Sequence, residues 1–397
     1  MPSRILAAQR RLPQNVRALS WVSFANDFAS ELVYPIVPLF LTQTLGAPAT
    51  VLGVVEGIAE GVAVGLRGAA GWLSDRAGRT RKVWIVAGYA ASAVSRIALA
   101  AAWAWGVVLA ARIGDRLGKA ARTAPRDALI KDSTPGELRG AAFGYHRALD
   151  TAGAVAGPLL AVALLAAGVS LRTVLIVAVA PGFLTLVLLR SVREARRGGA
   201  VLAGTAEPQR LPRAFWGALA VWTVFSLGNS SDAFLIIRAH DLGLSTTLVV
   251  VAYAAYNVVY STLSWPLGAL SDRVSRPLIL AAGLAVFALV YAGFAVAPGS
   301  WAVWPLFAVY GAYIAATDGI ARAWIGDYAP DAAGGTAYGL FSAASGGALL
   351  TASVVAGVLW SHVDPSAPFW LGVGSALAGL VGLIVFALSY RMRRAPT

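Results

Sequence analysis

Long apolar stretches alternate along this chain with short polar and basic stretches. A helix needs roughly 20 mostly apolar residues to cross the hydrocarbon core of a bilayer. The pattern therefore predicts an all-α membrane protein. Its twelve transmembrane helices are expected at 18–43, 49–72, 83–103, 106–126, 141–167, 172–192, 214–237, 246–270, 278–297, 302–325, 336–361 and 367–390.

Two internal repeats divide the chain. Residues 71–79 read GWLSDRAGR and residues 268–276 read GALSDRVSR, an offset of 197 residues with six of nine positions identical. Residues 132–144 and 327–339 form a second repeat, with Asp, Pro, Gly, Ala and Gly at positions 195 residues apart. Nearly equal offsets predict two pseudo-symmetric six-helix bundles, at residues 1–192 and 214–397, joined by a polar cytoplasmic linker at 193–213.

Composition excludes several other classes of protein. Hydrophobic residues make up 58% of the chain and charged residues 13%, which is too little charge for a soluble domain of this length. The net charge of +13 could indicate a nucleic-acid partner, but the Lys and Arg residues lie between apolar runs, a pattern typical of membrane orientation. With no Cys and only three His, we expect no disulfide, no metal site and no cofactor.

The basic residues also predict orientation. They concentrate in the N-terminal segment, in alternate loops, in the linker and at the C-terminus, which places both termini in the cytoplasm. The first 17 residues are polar and basic and show no signal-peptide pattern. We expect a multi-pass protein of the cytoplasmic (inner) membrane of a bacterium, monomeric and embedded in the lipid bilayer.

The repeated loop carries a family resemblance. It matches the motif G-x-L-x-D-R-x-G-R between the second and third helices, and the chain therefore resembles the secondary transporters of the major facilitator superfamily (MFS). The resemblance implies alternating access by two rocking halves and a conformational latch on the cytoplasmic side. The latch residues would be Gly71, Asp75, Arg76, Gly78, Arg79, Asp272 and Arg273. The simpler alternative is that the arginines only set the topology, although topology leaves the two aspartates unexplained.

Carboxylates within the spans are candidates for proton coupling, because an ionisable group in a membrane is costly unless it faces a cavity or a partner. Asp27 and Glu31 lie four residues apart on one face of the first helix, with Asp27 near mid-membrane. Glu56 and Glu60 share the second helix, where pairing with Arg is an equal alternative. Asp232 on the seventh helix is the fifth candidate.

The fourth helix carries a basic stripe. Arg112, Arg116, Lys119, Arg122 and Arg126 are spaced four, three, three and four residues apart, which places them on one face. The resemblance implies that helices 1, 4, 7 and 10 line a central cavity. The candidates for binding substrate are Arg112, Arg116, Lys119, Tyr34, Asn229, Tyr256 and Asp318. For the tyrosines, packing or a place at the membrane interface is the commoner role.

The fifth helix holds a second motif. Gly153, Gly157 and Pro158 resemble the G-x-x-x-G-P motif of antiporters in this superfamily, although a structural kink is an equal alternative. The same helix carries His146, Arg147 and Asp150, and Asp150 could neutralise a basic residue of the fourth helix. Glycines 53, 57, 61 and 65 on the second helix predict a close packing seam.

These features favour a transporter over other functions. No nucleotide-binding loop is present, so an ion or solute gradient must supply the energy. No clustered nucleophile or metal set indicates an enzyme. The leading interpretation is a proton-coupled exporter of a small organic solute, by proton antiport, with Asp27, Glu31 and Arg116 as the proton-linked group. The alternatives are proton-coupled uptake (symport) of a polar or anionic metabolite, and a membrane sensor that does not transport.

Overall fold

The computed structural model of the chain describes residues 12–76, 81–135, 138–194, 211–271, 274–329 and 334–392. Helices account for nearly all of these residues, and no strand occurs among them. Seven of the described helical segments are long and apolar enough to cross a membrane.

The first half of the chain contains six helices or helix pairs. Their bounds are α1 (Gln14–Val33), α2 (Ala49–Arg76), α3 (Arg81–Ala100), α4 (Trp105–Asp132), α5 (Arg139–Ala166) and α6 (Leu171–Val177 with Val179–Leu188). A short helix, Ile36–Leu39, and a π-helical turn, Phe40–Thr44, follow α1, and a 3-10 turn, Leu189–Ser191, follows α6.

The second half repeats this order. Its helices are α7 (Arg213–Ser226 with Ala233–Asp241), α8 (Thr246–Ser271), α9 (Arg276–Val296), α10 (Val303–Gly326), α11 (Gly334–His362) and α12 (Ala367–Met392), with a 3-10 turn at Ser300–Ala302 before α10. Most predicted boundaries agree with these bounds to within a few residues.

Three predicted spans are interrupted. The span at 18–43 breaks after Val33, because Pro35 lacks the amide that a helix needs there. The span at 172–192 breaks at Ala178, three residues before Pro181. The prediction of one helix over 214–237 is wrong, since α7 stops at Ser226 and resumes at Ala233. The sequence between, LGNSSD, is rich in residues that favour turns and helix caps.

The internal repeat reappears as an ion pair in each half. Arg81 at the start of α3 binds Asp132 at the end of α4. Arg276 at the start of α9 binds Asp327, just after α10, and both of its residues lie 195 positions further on. The offset equals that of the second sequence repeat, so the two halves use one structural plan for this helix pair.

The chain forms two compact units. One contains residues 1–45 and 65–202, and the other contains residues 46–64 and 203–397. The second unit holds Gly53, Gly57 and Gly61 of the predicted seam. A methyl group added at Gly53 would overlap the carbonyl oxygen of Ser353 in α11, and one added at Gly57 would overlap that of Leu350. Thr50 adds a hydrogen bond from its hydroxyl to the Gly357 carbonyl oxygen at 3.2 Å.

The two units have different interiors. In the first unit a largely aliphatic cluster joins α1, α3 and α4 around Leu19, Tyr89 and Leu129. In the second, aromatic rings stack through the core, with Phe287 and Tyr291 at a centroid distance of 3.9 Å.

Most of the latch motif lies outside the part of the chain that the structure describes. Gly71, Asp75 and Arg76 are in the last turns of α2, where side chains are not described. Gly78, Arg79, Asp272 and Arg273 lie outside the described residues. The latch therefore remains a prediction.

Candidate functional site

A polar cavity of about 80 Å³ lies within the first unit, between α1, α3 and α4. It is lined by Asp27, Ser30, Glu31, Val33, Tyr34, Ser95, Arg96, Leu99, Ala111, Arg112, Asp115, Arg116, Lys119 and Arg122. Five of these side chains are cationic and three are acidic, so the formal charge of the lining is net positive. Charge held inside a membrane protein usually marks a ligand or ion path.

Two glycines bring α3 and α4 together beside this cavity. A methyl group added at Gly88 would overlap the carbonyl oxygen of Gly118, and one added at Gly118 would overlap that of Gly88. The helix backbones are therefore in direct contact. This crossing turns the basic face of α4 toward α3 and α1.

Arg122 of α4 binds to α3 at this crossing. Its Nη1 donates to Ser92 Oγ at 2.6 Å and to the Gly88 carbonyl oxygen at 3.4 Å. The guanidinium also lies 4.6 Å from the centre of the Tyr89 ring, within the range of a cation–π interaction. Arg122 thus fixes α4 against α3.

Arg112, Arg116 and Lys119 of the basic stripe line the cavity. The Arg112 guanidinium lies 5.6 Å from the centre of the Tyr34 ring, which joins the two predicted binding residues. Arg116 Nη1 lies 3.9 Å from Asp115 Oδ2. Both arginines are buried, whereas Lys119 is exposed.

Asp27 and Glu31 line the same cavity from α1. Asn26 Nδ2 donates to Asp27 Oδ1 at 3.0 Å. The Asp27 carboxyl also lies within hydrogen-bonding reach of the Asp150 carboxyl on α5 and within electrostatic range of Lys119. The structure thus places Asp150 next to Asp27, whereas the sequence suggested only that Asp150 neutralises a basic residue of α4.

A separate polar cluster lies in the second unit, at the break in α7. Asp232 precedes the second segment of α7 and accepts hydrogen bonds from Tyr256 Oη at 2.9 Å and Tyr310 Oη at 2.6 Å. Asn229 Nδ2 donates to Tyr313 Oη at 3.0 Å. Asp232, Asn229 and Tyr256, predicted separately as coupling and binding residues, therefore form one network with the buried tyrosines of α10.

The remaining candidates are more scattered. Asp318 is half exposed and lies 3.6 Å from Arg322, with Tyr260 Oη 3.3 Å away. Glu56 is buried in α2, within the unit that contains residues 46–64. The Glu60 side chain lies outside the description. Within the described ranges, no group of three or more His, Asp or Glu side chains is placed to hold a metal ion.

Comparison with known proteins identifies the family. The model described as Major Facilitator Superfamily matches residues 19–237 and 218–397. The chain belongs to the major facilitator superfamily. An uncharacterised MFS-type transporter of Methanocaldococcus jannaschii is 34% identical over 385 residues, which is 95% of each chain. An uncharacterised protein of Mycobacterium bovis is 29% identical over 359 residues, covering 88% of this chain and 85% of the relative.

Solved structures show the same fold. The nucleoside transporter NupG matches with a TM-score of 0.78 at 12% identity, over 94% of this chain and 99% of its own. The peptide transporter POT matches with a TM-score of 0.76 at 16% identity, over 94% of each chain. The human organic anion transporter MFSD10 matches with a TM-score of 0.66 at 14% identity, over 93% of this chain and 99% of its own.

Family membership makes this protein a multi-pass membrane protein and a secondary transporter of a small-molecule substrate, a class distinct from enzymes.

In this MFS transporter, the antiporter-like motif of α5 is a packing surface. A methyl group at Gly153 would overlap the Phe24 carbonyl oxygen, and one at Gly157 would approach both the Phe28 carbonyl oxygen and the Leu32 amide. Pro158 lies within a continuous α5. The motif thus sets α5 directly against α1.

Sequence analysis of this MFS transporter missed Arg96. This residue of α3 is 4% exposed, and its Nη2 donates to Asn26 Oδ1 at 2.9 Å and to Ser30 Oγ at 2.7 Å. It is a single cation in an otherwise apolar span, and that isolation was the available signal.

Proposed function

We propose that this transporter carries a small organic anion together with protons, by alternating access. The supporting observation is the net positive cavity in the first unit, with Arg112 and Arg116 buried in its wall. The proposal includes the predicted topology: a monomer in the cytoplasmic (inner) membrane with both termini inside. The proposal therefore follows the alternative of proton-coupled uptake (symport) of an anionic metabolite and not export by proton antiport.

The arginines supply the argument for an anion. Arg112 and Arg116 lie four residues apart and therefore share one helix face. A guanidinium group presents a planar fork of N–H donors that matches a carboxylate or a phosphate. Ser30 and Ser95 add neutral polar groups to the same lining. A lipophilic cation would meet an unfavourable net charge here.

The acids in the same cavity supply the argument for protons. When Asp27 takes up a proton, the cavity becomes more positive by one charge. Two unit charges about 6 Å apart interact by roughly 3 kcal/mol at an effective dielectric constant of about 20. Protonation would therefore strengthen anion binding by about 100-fold. Since linkage is reciprocal, the bound anion favours the protonated acid, and the two ligands travel together.

Export by proton antiport is the second candidate. The resemblance of Gly153, Gly157 and Pro158 to an antiporter motif favours it. An antiported solute must compete with the proton for the acids, which a cation does and an anion does not. The sign of the transported charge therefore separates the two candidates.

Purified protein in proteoliposomes tests the proposal. A panel of labelled carboxylates, organic phosphates and cationic drugs is supplied outside, with and without an acid-outside pH gradient. We expect accumulation of at least one anion that depends on the gradient. Accumulation of cationic drugs alone, or anion uptake indifferent to the gradient, would contradict the proposal.

Matched variants assign the uptake to the cavity. Arg112→Gln and Arg116→Gln should each weaken the apparent affinity for the anion at least tenfold, because each removes a buried positive charge. Arg190→Gln removes an exposed arginine beyond α6 and should leave uptake unchanged. Equal effects of all three substitutions would show that the cavity arginines have no special part in binding.

A further inference from the structure

The seam between α1 and α5 places two acids side by side. Gly153 of α5 lies against the backbone of Phe24 and Phe28 in α1, so the two helix backbones are in contact there. Asp150 lies one turn before Gly153, and Asp27 lies one residue before Phe28. Since Gly153 lies between the levels of Phe24 and Phe28, Asp150 is about one helical turn from the level of Asp27, and the two side chains reach each other across that turn.

The two carboxyl groups lie within hydrogen-bonding reach of each other. Asp27 Oδ1 accepts from Asn26 Nδ2, and Asp150 Oδ2 accepts from Arg147 Nη1 at 3.3 Å. Asp150 Oδ1 is buried and accepts no hydrogen bond from the described part of the protein. Two carboxylates at this separation repel each other strongly, whereas one shared proton gives each an attractive partner.

A buried histidine lies next to the pair. His146 is one turn before Asp150, on the same face of α5, and is 5% exposed. Neither of its ring nitrogens has a hydrogen-bond partner among the described residues. The ring is within electrostatic range of Asp27. A buried polar group without partners is costly, so an imidazole here is expected to serve a role other than packing.

The charged groups around the pair lie on α1, α3, α4 and α5. The α4 residues Lys119 and Arg126 attract the ionised form of Asp27, and Arg126 also attracts that of Asp150. Arg96 of α3 also attracts the ionised form of Asp27. The other charged neighbours are Glu31 on α1, Asp127 on α4 and Arg147 on α5.

We propose that Asp27 and Asp150 share one proton and form the proton-carrying site of this transporter, with His146 as the relay to it. In the relay, His146 accepts a proton from water at one ring nitrogen and passes a proton from the other nitrogen to Asp150, which leaves the ring neutral. This inference deepens the proposed function and rests on it. It replaces the grouping of Asp27 with Glu31 and Arg116 by a pair across two helices.

Infrared spectroscopy of the purified, substrate-free protein tests the pair. A shared proton gives one carboxylic-acid band at neutral pH, which alkali removes. We expect Asp27→Asn and Asp150→Asn each to abolish this band, because the new amide donates to the remaining carboxylate. Asp364→Asn removes an exposed acid in the turn before α12 and should leave the band intact. If one of the two variants fails to fold, the other tests the same pair.

Other results would overturn the inference. No acid band in the wild-type protein, or a band lost in Asp27→Asn but kept in Asp150→Asn, would refute the shared proton. His146→Gln should keep the band but slow its response to a pH jump at least tenfold, and an unchanged rate would refute the relay. Because no substrate is present, these outcomes are independent of whether proteoliposomes transport anions.

Discussion

Replacement of Arg96 by Met provides the sharpest test of how the cavity is built. Arg96 ties α3 to α1, because one guanidinium nitrogen holds both Asn26 and Ser30. A methionine of similar length fills most of the space but donates no hydrogen bond. The substitution therefore removes the link between the helices while leaving the apolar packing largely in place.

The magnitude follows from the two side-chain hydrogen bonds. At 2.9 and 2.7 Å with a charged donor, each contributes about 1.5–3 kcal/mol. Their loss alone would cost about 3–6 kcal/mol, and Asp115 would also lose an attractive charge. Methionine avoids the desolvation of a buried guanidinium, which offsets part of that cost. We expect a net loss of about 2–4 kcal/mol in the free energy of unfolding.

Reversible unfolding in mixed micelles with increasing SDS measures this loss. Arg190→Met is the matched control, since an exposed arginine should change stability by less than about 0.5 kcal/mol. Combining Arg96→Met with Ser30→Ala gives a double-mutant cycle with an expected coupling of about 1.5–3 kcal/mol. Wild-type stability in Arg96→Met, or zero coupling to Ser30, would show that Arg96 does not hold α3 against α1.

Four further substitutions probe other parts of the fold. Gly157→Ala should destabilise the protein by about 1–3 kcal/mol, because the added methyl group meets the backbone of α1. Gly347→Ala places its methyl group in open space and should stabilise the protein by up to about 1 kcal/mol. SDS unfolding compares the two variants, and equal effects would refute the close contact between α1 and α5. Tyr310→Phe removes the 2.6 Å hydrogen bond to Asp232 and should cost about 1.5–3 kcal/mol by the same measurement, so an unchanged stability would contradict the network. Arg81→Gln breaks a partly exposed ion pair and should cost less than about 1 kcal/mol, with the difference vanishing in high salt; a larger effect that persists in salt would be contrary to this account.

Hydropathy and repeats predicted the fold well, because both report on backbone placement in a bilayer. The span at 106–126 corresponds to α4, although the helix continues to Asp132 through residues too polar for an apolar window. The break in α7 was missed for the opposite reason. The apolar residues on both sides of the break dominate the hydropathy averaged over the window, so the polar residues between them were assigned to one continuous span.

The candidate site was predicted only in part. Periodicity on one helix is visible in sequence, and it singled out Arg112 and Arg116 of α4 and Asp27 and Glu31 of α1, which line one cavity in the structure. The neighbour of Asp27 depends on how α1 and α5 are rotated against each other, which Gly153 fixes by contact. Such contacts between helices are not encoded in the spacing of one segment, and so the partnership with Asp150 emerged only from the structure.

Proton movement during anion transport tests the central claim most directly. Proteoliposomes with a pH indicator in the lumen start at equal pH inside and outside, with the membrane potential clamped at zero. The anion that the uptake screen selects is then added outside. The account predicts acidification of the lumen, in proportion to the anion taken up, and loss of that signal in Arg112→Gln. Alkalinisation of the lumen, or anion entry with no change in pH, would contradict proton–anion symport.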